Sequence, residues 1–177
     1  IKCVVDAVNH KVPVIAGTGS NDTMHGIELT KKAQELGADA ALVVTPYYNK
    51  CSEEGLYRHY KMIAESTDIP LILYNVPSRT NVNISADTLY RLADIENIVG
   101  IKECNFAQVP KIMNACGDRY DFYSGEDGLV VPMLSLGAKG VISVVANVLP
   151  STMSKMVHAY IDGDLELARK IQIDLMP

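Results

Sequence analysis

Hydrophobic residues along this chain fall into two alternating patterns. Six short runs are almost continuously apolar: "VPVIAGTG" (12–19), "AALVVTP" (40–46), "PLILYNVP" (70–77), "IVGIKEC" (98–104), "DFYSGED" (121–127) and "GVISVVAN" (140–147). Runs of that length and β-branched content predict strands buried on both faces, as in a parallel sheet. "DFYSGED" is the least apolar of the six. Between them the apolar positions space out to the helical period. Leu29, Ala33 and Leu36 form one stripe, closed by Gly37 as a C-terminal cap. Leu56, Tyr60 and Ile63 form another, after Ser52 as N-cap with acids in the first turn. Leu89, Leu92 and Ala93 follow Ser85, and Met153, Met156 and Tyr160, then Leu167, Ile171 and Leu175, mark two closing helices. Such stripes are core-facing.

Alternation of apolar strands with amphipathic helices predicts an α/β fold with a parallel sheet covered by helices. No low-complexity linker interrupts the 177 residues, so one domain over 1–177 is expected. Two architectures fit, a doubly wound open sheet and a (β/α)8 barrel. Neither a dinucleotide-binding G-x-G-x-x-G nor a phosphate-binding G-x-x-x-x-G-K-[ST] is present, and "GTGSND" (17–22) is only a short glycine turn ahead of a helix. Polar residues instead gather where strands end: Thr45, Tyr47 and Tyr48; Tyr74 and Asn75; Lys102 and Glu103; Ser124 and Glu126; Asn147. Groups collected from many strand ends are how a barrel builds a site, so the expected fold is a TIM barrel with six of its eight strands present.

Composition narrows the functions. At 48% hydrophobic the chain can bury a sizeable core, and 21% charged residues with a net charge of -5 and no block of like charges point away from nucleic acid or an anionic membrane as partner. No apolar run is long enough to span a bilayer, and a cytoplasmic protein is expected. The four cysteines, Cys3, Cys51, Cys104 and Cys116, are widely spaced, with no C-x-x-C or Cys/His cluster, so reduced thiols and no metal are expected.

Lys102 is the residue that raises a chemical question, because it closes the apolar run "IVGIKEC". A lysine there either snorkels out to solvent or holds its amine in a low-dielectric site, where the neutral form gains and can attack a carbonyl carbon. Tyr74 ends the preceding strand, and in a parallel sheet neighbouring strands run about 5 Å apart. Its hydroxyl can therefore serve the proton transfers of imine formation at Lys102, or simply be a satisfied core tyrosine. Arg79, in the turn "NVPSRT", is either a surface arginine or a two-pronged grip for a carboxylate. Tyr47 and Tyr48 in "TPYYNK" form a loop pair that either packs on a partner chain, the commoner role, or takes part in chemistry.

Taken together, "VIAGTGSN", "VTPYYNK", "LYNVPSRT", "GIKE", "YSGED" and "GVISV" resemble, in order, segments of the dihydrodipicolinate synthase family of pyruvate-dependent class I aldolases. The resemblance implies a (β/α)8 barrel in which Lys102 forms a Schiff base with pyruvate. The enamine would then attack L-aspartate 4-semialdehyde, in diaminopimelate and lysine biosynthesis, without metal or organic cofactor. It makes Tyr74 the proton carrier and Tyr48 a relay partner that reaches across a tight dimer interface. Arg79 becomes the semialdehyde's carboxylate grip, and the backbone around Gly125 and Ile142 lines the pyruvate pocket. It further implies a homotetramer built as a dimer of dimers. The alternatives are a sibling pyruvate aldolase acting on another aldehyde, against which Arg79 counts, and an inactive barrel fragment.

Three departures accompany the resemblance. Nothing before Val12 matches the family's Gly-Thr-Thr segment and the family's C-terminal helices run beyond Pro177, so a barrel truncated at both ends and inactive alone is expected. "CNFAQ" (104–108) replaces the usual Ala-Ser/Thr-Gly after the lysine. At the possible effector site Asn21 and Tyr47 match the lysine-binding pattern while His25 stands where a Glu belongs. A neutral imidazole does not pair with an ammonium, and lysine feedback is not expected.

Overall fold

The computed structural model describes residues 1–176. Six strands, β1 (Ile15–Gly17), β2 (Ala40–Val44), β3 (Leu71–Asn75), β4 (Ile98–Glu103), β5 (Asp121–Ser124) and β6 (Gly140–Val141), form one sheet in the order of the sequence. Every neighbouring pair is parallel. Helices lie between and around them: α1 (Lys2–Val8), α2 (Thr23–Glu35), α3 (Glu53–Glu65), α4 (Pro77–Thr80), α5 (Ala86–Leu92), α6 (Val109–Cys116), α7 (Val130–Ser135), α8 (Pro150–Ile161) and α9 (Leu165–Asp174). A doubly wound sheet reverses its strand order at a switch point, whereas this order never reverses. Sequential parallel order is the wall of a (β/α)8 barrel, here six strands of it.

Register separates the two faces of that wall. Val43, Leu73, Ile101 and Phe122 pair across β2 to β5 and are fully buried. They pack on Leu56, Tyr60 and Ile63 of α3, Leu89 and Leu92 of α5 and Ile112 of α6. One residue further along each strand the opposite face carries Val44, Tyr74, Lys102 and Tyr123, then Gly140, in a continuous row. Alternation along a strand thus puts the helix-covered core outside and the chemistry inside. A second core, from Val130, Leu134, Met153, Met156 and Ile171, joins α7 to the closing pair α8 and α9.

Helix ends follow the expected side chains. Ser52 accepts from the Gly55 N–H at 3.1 Å and Ser85 from the Thr88 N–H at 3.1 Å, satisfying donors that the first turn leaves free. Gly37 takes the left-handed conformation, φ 84°, that ends α2, and Asp22, not among the expected caps, accepts from the His25 N–H at 2.8 Å at its start. Gly19, in the glycine turn, is required for a different reason than anion binding. A Cβ built there would stand 2.4 Å from the Val44 backbone nitrogen, so the turn is pressed onto β2.

All six strands are shorter than their apolar runs, the first and last by the most. The first spans only Ile15–Gly17, not residues 12–19, and the last stops at Val141 instead of reaching Asn147. Asn147 therefore lies on a 3-10 turn, Val145–Asn147, and not at a strand end. The cause is Asp127, whose carboxylate accepts from the Ser143 hydroxyl and from the Val144 and Val145 N–H groups at 3.1 and 3.2 Å. Those bonds curl the chain away from the ladder. Among the described residues no helix is long and apolar enough to cross a membrane, and no group of three or more His, Cys, Asp or Glu is placed to hold a metal ion.

Candidate active site

Lys102 sits on the inner row with Tyr74 and Tyr123 as its direct partners on β3 and β5. It is only 7% exposed, so it neither snorkels to solvent nor joins any of the surface ion pairs. Its Nζ lies 4.2 Å from the centroid of the Tyr74 ring. The amine meets the face of the tyrosine, a contact that favours the cation modestly. Burial works the other way and holds the Lys102 pKa below the ordinary lysine value, against the pull of Cys104, Asp127 and Glu126. Burial also raises Tyr74 and Tyr123, so both phenols stay protonated at neutral pH.

Behind the row, on the helix-facing side, Asn75 pairs in register with Glu103. Glu103 is 1% exposed, and burial pushes its carboxyl up to about 7 although every neighbour donates to it. Asn75 Nδ2 lies 2.9 and 3.1 Å from its two oxygens, Gln108 Nε2 is at 3.0 Å and the Asn105 N–H at 2.6 Å. Asn83 completes the group by accepting from Asn75 and donating to Gln108, both at 2.9 Å.

The floor beside Lys102 is built by Cys104 and Gly125. Gly125 donates its N–H to the Glu103 carbonyl at 2.8 Å, and Ile142 donates to the Ser124 carbonyl at 3.0 Å. Both N–H groups are committed to the ladder, so these two residues offer walls rather than donors. Burial and the neighbouring Glu126 push the Cys104 thiol up to about 12, which leaves it protonated and unreactive. A Cβ at Gly125 would fall 2.3 Å from Cys104 Sγ and 3.2 Å from the Glu103 carbonyl oxygen. Gly125→Ala is therefore expected to cost about 1–3 kcal/mol. In a Cys104→Ala background the sulfur is gone and the cost should fall by about 1 kcal/mol or more, measured as urea midpoints of the four proteins. Equal costs in both backgrounds would show that the sulfur does not fill this floor.

The remaining expected residues lie further out. Arg79 is exposed on the single turn α4, which Pro77 starts and Asn81 ends at φ 57°. Beneath it Thr80 is buried and accepts from the Thr45 hydroxyl at 2.8 Å, tying the turn to the end of β2. Tyr48 is 92% exposed with φ 72°, a left-handed conformation costly for an aromatic residue. Tyr47 beside it is half exposed. Asn21 precedes α2 and its carbonyl accepts from Asn49 of the tyrosine loop at 3.3 Å, which brings Asn21 and Tyr47 to neighbouring loops. His25 is exposed on the first turn of α2, with Nδ1 3.6 Å from Glu28 rather than facing a pocket carboxylate.

The structure thus joins Lys102, Tyr74, Gly125 and Ile142 in one wall and leaves Tyr48 and Arg79 at its rim. Tyr123 was not anticipated. It sits in the "DFYSGED" run, where strand alternation places it on the same face as Lys102 once the register is known. Gln108, which donates to Glu103, and Asn83, which links Gln108 to Asn75, carry no local signal in the sequence, since one ends a 3-10 turn after β4 and the other lies in the loop after α4.

A parallel barrel wall with a buried strand-end lysine between two tyrosines defines the class of (β/α)-barrel proteins to which this chain must be compared. The chain belongs to the dihydrodipicolinate synthetase family, whose model matches residues 1–177. It is 57% identical over 176 residues to the 4-hydroxy-tetrahydrodipicolinate synthase of Acetivibrio thermocellus, covering 99% of this chain and 60% of that protein. The enzyme of the same name from Thermodesulfovibrio yellowstonii is 54% identical, over 100% of this chain and 62% of its own length. Among solved structures, dihydrodipicolinate synthase from Aquifex aeolicus superposes with a TM-score of 0.95 at 46% identity, over 98% of this chain and 60% of that one. The enzyme from Acinetobacter baumannii, solved in complex with pyruvate, gives 0.93 at 48% identity, over 97% and 60%. The chain spans about three fifths of the length of these relatives.

Proposed function

We propose that this chain carries the site of a lyase that condenses pyruvate with L-aspartate 4-semialdehyde through a Schiff base on Lys102. The observation that carries the reading is the Lys102 amine, 7% exposed at the end of a barrel strand and lying over the Tyr74 ring. The neutral amine adds to the pyruvate C2 carbonyl to give a carbinolamine. Tyr74 passes a proton to the departing hydroxyl, so that water leaves and the imine forms, and recovers one from the nitrogen. A methyl proton then moves, through Tyr74, to the imine nitrogen to give the enamine. Its carbon attacks the semialdehyde's aldehyde carbon, and the nitrogen's proton returns through Tyr74 to the new alkoxide. Water adds to the imine carbon, so that the C–N bond breaks and the Lys102 amine is released.

In this reading Gly125 and Ile142 wall the pyruvate, and Arg79 grips the semialdehyde carboxylate with two hydrogen bonds. Tyr48 serves the relay of a neighbouring protomer, an assignment supported by its left-handed backbone and its 92% exposed side chain. The 177 residues act as one domain within a dimer of dimers, and no metal or organic cofactor takes part. Asn21, His25 and Tyr47 form the effector corner without responding to lysine.

The test is borohydride reduction of the protein with pyruvate, followed by intact mass and peptide mapping. One pyruvate-sized adduct, confined to Lys102, is the expected result. No adduct on this chain, nor on a version extended to the length of its relatives, would sink the Schiff-base reading. An adduct on the extended version alone would locate the missing requirement in the added segments.

A further inference from the structure

Glu103 has no place in the chemistry proposed above, yet it is the most deeply buried carboxyl group next to it. It follows Lys102 directly on β4, on the opposite face, and pairs in register with Asn75, which follows Tyr74 on β3. Its four contacts all come from donors: Asn75 Nδ2 to both oxygens, Gln108 Nε2 and the Asn105 N–H. The amides cannot turn over to offer acceptors instead. Asn75 Oδ1 is held by the Ile84 N–H at 2.9 Å, and Gln108 Oε1 by Asn83 Nδ2 at 2.9 Å. Gln108 Nε2 also donates to the Ile84 carbonyl at 3.0 Å, and Asn83 Oδ1 accepts from Asn105 at 3.2 Å. The network is closed: every group that faces position 103 is a donor, which favours the carboxylate, while burial opposes the charge and raises the carboxyl to about 7.

We propose that Glu103, through Asn75, Asn83 and Gln108, is a positioning residue that locks the ends of β3 and β4 together, so that the Lys102 amine is held against Tyr74. The inference rests on the Schiff-base reading for its consequence but not for its geometry. Two adjacent strand ends carry the reacting pair on one face and the clamp on the other. A rotation of either strand end that loosens Asn75 from Glu103 moves Tyr74 from Lys102 by the same lever. Small displacements of reacting groups cost rate steeply. Lys102 also feels Cys104, Glu126 and Asp127, which follow the ends of β4 and β5, and none of these belongs to the clamp.

The test compares Glu103→Gln with Leu89→Ala, a buried change on α5 that destabilises without touching the clamp. Glu103→Gln keeps the shape but turns an NH2 toward locked donors. Two quantities are read on each full chain, well below its melting midpoint. One is the rate of borohydride-trapped pyruvate adduct. The other is the pH profile of Lys102 acetylation by trace acetic anhydride, which needs no pyruvate. Glu103→Gln is expected to slow trapping about tenfold or more and to move the Lys102 profile toward that of an ordinary lysine. Leu89→Ala should leave the profile in place. If the two variants keep the wild-type profile alike, the positioning role is wrong. If wild-type protein traps no pyruvate, the Schiff-base reading fails, and the acetylation profile still decides whether Glu103 positions Lys102.

Discussion

Lys102→Met is expected to abolish pyruvate trapping and to stabilise the fold. Both effects come from one fact, that the amine is buried on the inner row with Tyr74 and Tyr123 beside it. Burial disfavours the ammonium, which lowers the pKa and provides a free amine to attack a carbonyl. The same burial is a cost to folding, because a charge that prefers water is held out of it. Methionine keeps much of the length and bends to fill the space, so stability should rise by about 1 kcal/mol, seen as a higher thermal midpoint. Tyr74→Phe separates the remaining roles. It keeps the ring face under the amine and removes only the hydroxyl, so Lys102 should still be trapped, but about 100-fold more slowly in single-turnover reduction. A persistent adduct in Lys102→Met, on another lysine, would remove Lys102 from the chemistry. An unchanged rate in Tyr74→Phe would assign proton transfer to another group, with Tyr123 the first candidate by its position in the row.

How much of this was legible in the sequence depends on how local each signal is. β2, β3 and β4 are visible because their runs are almost continuously apolar, α3 and α5 because Ser52 and Ser85 act on residues three positions away, and α2 because its Leu29, Ala33 and Leu36 stripe ends at Gly37. The choice of barrel over doubly wound sheet rested on polar strand ends. The structure supports it by a feature the sequence does not display, the unreversed strand order. β6 was overextended because Asp127, far upstream, captures the N–H groups that would otherwise continue the strand. At the site, Lys102 announces itself by interrupting an apolar run, and Tyr74 is picked out only by ending the run before it. Tyr123 does not, because a tyrosine inside a strand is ordinary and only the register with β4 shows what it faces. The clamp around Glu103 is the least visible part, since Asn83, in a loop, and Gln108, on a 3-10 turn, are 25 positions apart and meet only after β3 and β4 pair.

The stability of the wild-type protein is expected to change little between pH 6.5 and 4.5, and to change steeply when either of two buried groups is replaced. Glu103 is raised from its ordinary 4.5 to about 7. Its stabilising contribution is fully present below 4.5 and is lost as pH rises through 7. His59, 4% exposed on α3, is lowered from 6.5 to about 4 by burial, with Asp22 pulling the other way. Its Nδ1 faces the Thr23 hydroxyl at 2.9 Å and its Nε2 has no partner, so nothing inside receives the proton. The contribution of His59 is therefore fully present above 6.5 and is lost as pH falls through 4. Each displacement is worth about 3 kcal/mol across its window, and in the shared interval acidification gains from Glu103 what it loses at His59. His59→Gln should consequently gain up to about 3 kcal/mol on going from pH 7 to 4.5, and Glu103→Gln should lose about as much. Urea midpoints of the three proteins at pH 7, 5.5 and 4.5 measure this, and a uniform loss from either substitution drops out of the comparison between pH values. Parallel pH curves for all three proteins would mean that neither group titrates in this interval while the chain is folded. Opposite slopes for the two variants would show that the carboxyl group behind Lys102 and the imidazole under α2 offset one another in acid.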